Sequence, residues 1–76
     1  MPTFRISVVN SDFHASEEHE LESVDAARRE GIKAALAMGA EEVNGGKPFF
    51  GAEVRVQDGG DTVSRAMVSV GASPLQ

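Results

Sequence analysis

The stretch SVDAARREGIKAALAMGAEEV, Ser23 to Val43, decides the fold of this chain. It is the only run long enough for a multi-turn helix, and short strand-like runs flank it on both sides. Ser23 is the expected N-cap, because its hydroxyl can accept a hydrogen bond from an orphan amide of the first turn. Glu22 and Asp25 place negative charge where the helix dipole favours it. Val24, Ala27, Gly31, Ala35 and Met38 recur on one side, and Ile32 and Leu36 widen that face. Small residues dominate the face, so the helix axis is expected close to whatever it covers. Asp25 with Arg29 and Glu30 with Lys33 make exposed pairs worth only about 0.2–0.5 kcal/mol each. Gly31 and Gly39 each cost about 1 kcal/mol relative to Ala. Packing, not propensity, must therefore hold this helix. Asn44-Gly45-Gly46 followed by Pro48 ends it.

Before the helix, residues 3 to 9 alternate, with Phe4, Ile6 and Val8 on one face and Arg5, Ser7 and Val9 on the other. That is the period of a half-buried strand. Asn10-Ser11-Asp12 is turn chemistry, since these side chains bond to the local backbone and interrupt a ladder. A short second strand is expected around Phe13 to Ala15. Residues 16 to 22, almost all polar, read as a connection into the helix.

After the helix, Phe49-Phe50-Gly51 leads into Ala52 to Gln57, with Ala52, Val54 and Val56 inward. Asp58-Gly59-Gly60-Asp61 is a hairpin turn, with glycines available for positive φ. Thr62 to Val70 forms the last strand, with Ala66, Val68 and Val70 on the inner face. Residues 71–76 form a short tail, and Pro74 cannot serve a central ladder. The order ββαββ predicts a single α+β domain over residues 1–76. In it a four-stranded antiparallel sheet carries one helix, about residues 24–43, on one face. A right-handed crossover with strand 1 between strands 2 and 3 gives the sheet order 2-1-3-4.

Composition narrows the function. Seventy-six residues with seven basic and twelve acidic side chains carry a formal charge of −5. The bases are scattered, which disfavours nucleic-acid binding, where clustered Lys and Arg neutralise phosphates. There is no cysteine and hence no disulfide, which fits a reducing compartment. The first residues show no signal-peptide pattern, and no window reaches the 18 or so apolar residues that span a bilayer. The expectation is a soluble cytoplasmic protein with no membrane partner and no cofactor.

Placed on these elements, the sequence resembles DUF6894, a family of short bacterial proteins common in alphaproteobacteria. The matching pieces are Met1-Pro2-Thr3-Phe4, then Leu21 with Asp25-Ala26-Ala27-Arg28, then Val54-Arg55-Val56-Gln57-Asp58-Gly59. The first strand has Phe4 alone where the family carries a Tyr-Phe-Phe cluster. The family's Gly-x-Glu-Leu lead-in is His19-Glu20-Leu21 here. The resemblance implies the fold and a bacterial source, and assigns no catalytic residue.

Three constellations invite a functional reading. Asp12, His14, Glu17, Glu18, His19 and Glu20 offer imidazoles and carboxylates that suit zinc, nickel or iron. His-x4-His on a polar connection matches no ligand motif, however, and a solvated acidic loop accounts for it as well. A metal-binding accessory protein using His14, Glu18 and His19 is therefore the alternative reading, and no metal site is assigned. Asn44-Gly45-Gly46-Lys47-Pro48 fails as a phosphate loop, because Glu41 and Pro48 stand where Gly and Ser or Thr are required. No serine lies in a nucleophile motif, and so small a core leaves little room for a water-excluding pocket. The expectation is that the chain is not an enzyme.

Phe49-Phe50 carries the interaction signal. Adjacent residues of a strand face opposite sides, so with Phe50 inward Phe49 is outward. Both could simply cap the core and the sheet end. Alternatively they form an apolar contact, extended by Val9, Val63 and Met67 on the outer sheet face beside Arg5, Glu53, Arg55 and Arg65. The outer face and an open sheet edge would then bind a second copy or an unknown protein. A partner or antitoxin-like regulator of a basic protein is a further reading that the charge permits.

Overall fold

The computed structural model describes residues 1–75. Its elements run β1 (Thr3–Val9), β2 (His14–Glu20), α1 (Val24–Asn44), β3 (Phe49–Asp58) and β4 (Asp61–Gly71). The strands form one antiparallel sheet in the order β2-β1-β3-β4, the order expected from the crossover rule.

The helix begins as its sequence dictates. Ser23 sits in extended backbone, and its hydroxyl accepts from the Ala26 amide at 3.1 Å. Asp25 is shared by the guanidinium groups of Arg28 and Arg29. At the other end, the Gly45 amide donates to the Glu41 carbonyl at 2.9 Å. The buried residues Ala27, Gly31, Ala35 and Gly39 recur every fourth position and press on the sheet. A Cβ on Gly31 would collide with Val54 and stand 2.9 Å from Ile6 Cγ2. One on Gly39 would lie 2.6 Å from Val70 Cγ2 and 2.8 Å from Phe50 Cδ2. The expected close approach of the axis is therefore met, along a stripe that includes Gly39. Val24 and Leu36, expected on the covered face, are exposed instead, Leu36 at 47%. Ile32, expected on the same widened face, is partly buried against the core.

The core lies between this stripe and the inner sheet face. Phe4, Ile6, Val8, Phe50, Ala52, Val54, Val56 and Val68 are all buried. Phe13 stacks on Phe50 at 6.4 Å between ring centroids. At the β3–β4 turn both Gly59 (φ 60°) and Gly60 (φ 96°) have positive φ, as a two-residue hairpin of the primed type requires.

The second strand corrects the sequence reading. Residues 16–20 are not a connection: β2 runs from His14 to Glu20 and pairs with β1 along its length, Thr3 with Glu20 through Val9 with His14. Its inner-face residues are Ala15, Glu17 and His19, since they oppose Val8, Ile6 and Phe4. The helix packs over β3, β4 and β1. It leaves the inner face of β2 without a lid, so that strand never needed an apolar period. β3 starts at Phe49, and β4 extends through Gly71, the first residue expected in the tail.

Candidate interaction surface

The sheet face away from the helix is held by charge at its centre and is apolar at one end. Glu53 stands at that centre. Arg55 donates to Glu53 Oε1 from Nε at 3.1 Å and from Nη2 at 2.9 Å, and Arg65 donates from Nε to Oε2. The Arg55 hydrogen bonds, seconded by Arg65, hold the Glu53 carboxyl below the ordinary carboxylate range against the opposing effect of partial burial. Toward β2, Arg5 reaches Glu18 at 3.5 Å and the Ser16 hydroxyl at 3.2 Å, and Ser7 and Ser16 hydrogen-bond at 3.1 Å. This roof leaves Ser7 only 3% exposed although it faces outward.

The apolar end is built on Gly51. Phe49 lays its ring edge over that glycine, so that a Cβ there would stand 3.0 Å from Phe49 Cε2. Met67 Cε lies 4.0 Å from the same point. The two side chains converge from neighbouring strands, yet Phe49 remains 61% and Met67 72% exposed. Val9 stands opposite Glu53 in the β1–β3 register and is half-buried. Gly51 was not singled out from sequence, although a glycine between Phe50 and Ala52 in a strand is a recognised sign of close approach.

The remaining candidates fall differently. Phe50 is 4% exposed beneath α1, which removes it from any interaction surface. It is a core residue, and alternation alone puts its neighbour Phe49 outside. Val63 is 41% exposed and is passed over where the register shifts: Val56 pairs with Ser64, and Gln57 with Thr62. It therefore lies toward the turn end of β4, two residues from Arg65 and away from the Phe49–Met67 patch.

The histidine–carboxylate segment is not gathered into one site. In β2, His14 and Glu18 share the outer face, whereas His19 lies on the inner face, where its Nε2 is 3.3 Å from Glu17. No group of three or more His, Asp or Glu side chains suited to a metal ion occurs among the described residues. His19 follows His14 by five positions, an odd offset that sends them to opposite sides of the sheet.

Fold and surface together define a class: a small ββαββ domain whose sheet is backed by one helix and open on its other face. The chain belongs to DUF6894, a domain of unknown function, whose family model matches residues 3–69. No curated protein and no solved structure matches it. Among the described residues no helix is long and apolar enough to cross a membrane.

Proposed function

We propose that this domain is a non-enzymatic protein-interaction module that self-associates through the β4 side of its sheet. The observation that carries the reading is the Phe49–Met67 patch, two large apolar side chains that approach the same point above Gly51 and are left open to solvent. Phe49 lies on β3 and Met67 on β4, an edge strand of eleven residues whose outer backbone groups have no partner in the sheet. Between Thr62 and Val70 its only charge is Arg65. Long, weakly charged edges of this kind are templates for pairing with another chain. Leu36, exposed on the helix flank, adds apolar surface in the other layer. A non-enzymatic role is favoured because the polar groups are turned to one another: Ser7 bonds Ser16, and His19 Nε2 lies 3.3 Å from the Glu17 carboxylate.

The reading is tested by sedimentation across a hundredfold range of concentration. A mass that rises with concentration, and no longer does so in a Phe49→Ser, Met67→Ser variant of unchanged helicity, supports it. A monomer at every concentration overturns it. Repeating the series with EDTA also tests the metal-binding alternative: association lost on chelation would favour that reading.

A further inference from the structure

The opposite edge of the sheet has the opposite character. Because α1 sits over β3, β4 and β1, a cleft of about 160 Å³ opens between the helix and β2, with Ile6 and Val8 on its floor. It runs on past Ala15 and Met38 into a shallower hollow bounded by Phe13, Glu41 and Glu42. With the hollow, of about 470 Å³, it forms a long groove open to solvent, unlike the enclosed clefts that bury most of a small molecule. It suits the side chains of a polypeptide. Its walls carry Glu17 on β2, with the His19 imidazole 3.3 Å away, and Glu30 on α1. Among the described residues Glu20, Glu30 and Glu41 have no ion-pair partner. Beside the cleft runs β2 itself, an edge strand whose outer backbone groups have no partner in the sheet.

We propose that the β2–α1 cleft docks an extended basic segment of another protein, which adds to the sheet as a fifth strand. Strand addition satisfies the free backbone groups of β2, and alternate side chains of the segment turn inward. Aliphatic ones cover Ile6 and Val8, and Lys or Arg side chains meet Glu17 and Glu30 at the rim. A second copy of this chain is the wrong occupant. Antiparallel pairing of β2 with itself centred on Glu17 sets two like carboxylates directly opposite, and each copy already carries −5. The acidic rim equally repels phosphate backbones.

The test uses the full chain and a labelled decapeptide of alternating Lys and Val, read by fluorescence anisotropy at low and high salt. Binding is expected, weakened by salt, and reduced at least tenfold by Glu17→Lys with Glu30→Lys. Those two residues are exposed, so the pair should fold. Asp58→Lys with Asp61→Lys changes net charge equally at the β3–β4 hairpin, which lines neither the cleft nor its hollow, and should weaken binding far less. The proposal is overturned if both pairs act alike, if a Lys–Ser peptide binds as well, or if the Lys–Val peptide does not bind. It is also overturned if the peptide dissociates a dimer, which would make the occupant a second copy. Phe49→Ser with Met67→Ser should leave peptide binding intact, so this proposal and self-association through β4 fail separately.

Discussion

Gly31 shows how a single hydrogen atom sets the spacing of the two layers. Helix propensity favours Ala over Gly by about 1 kcal/mol. Here the added methyl would collide with Val54 and crowd Ile6, both fully or nearly buried. Overpacking of a tight core costs about 1–3 kcal/mol, enough to outweigh the gain. Gly31→Ala is therefore expected to lower the urea midpoint, and a raised midpoint would show that the layers can part without cost. Phe49 and Phe50 make the complementary pair. Phe50→Ala should cost about 3–5 kcal/mol as a buried aromatic truncation. Phe49→Ala, on the exposed side, should change the stability of the monomer by less than about 1 kcal/mol. Glu53 adds a pH dependence. Its carboxyl is held below the ordinary range by Arg55 and Arg65, so its folded value lies under its unfolded one. The stabilisation is present above the unfolded value of about 4.3 and is lost as pH falls through the folded value. The stability difference between wild type and Glu53→Gln should thus be present at pH 7 and shrink in acid. A difference that stays constant down to pH 3 would mean that the arginines do not hold the charge.

At the scale of elements, the helix stands out because its signals agree. Cap, acidic first turn, small-residue face and glycine stop all point to α1. The Ser23 hydroxyl contact tests that agreement: Ser23→Ala should cost about 1 kcal/mol by denaturant titration. No loss would mean that water or Glu22 caps the first turn instead. β1, β3 and β4 were equally legible, because each buries one face and so alternates. β2 was not. A strand shows its period only where one face is well covered, and α1 packs on β3, β4 and β1, leaving a cleft over β2. His14 to Glu20 therefore reads as a solvated linker although it pairs along its whole length. The outward Phe49 and Met67 were legible from alternation, but their convergence was not, since it depends on the β3–β4 register and on the space above Gly51. The acidic cleft was hidden for the same reason as β2: Glu17 and Glu30 are thirteen positions apart and meet only across the crossover.

The whole molecule is a small sheet with one side bound by a helix and two edges of different chemistry. A domain of this size buries only about 60% of its unfolded surface, so its own core leaves a thin margin. Association through β4 would add to that margin by mass action, because a partner that binds only the folded state shifts unfolding upward. The increment grows with concentration and reaches about 2.7 kcal/mol at a hundredfold excess over the dissociation constant. For a chain of 60–100 residues, each kcal/mol moves Tm by about 4–8 °C. Calorimetry over a hundredfold concentration range should therefore find Tm climbing by several degrees in the wild type. In Phe49→Ser, Met67→Ser it should stay flat near the lowest wild-type value, since both side chains are already exposed in the monomer. A Tm that climbs equally in both proteins would place the contact elsewhere, and the acid-rimmed β2 edge is poorly suited to supply it. Raising the salt screens the −5 charge of each copy. It should therefore strengthen association through β4 while weakening any basic segment held at β2, and this opposite response distinguishes the two edges in one protein.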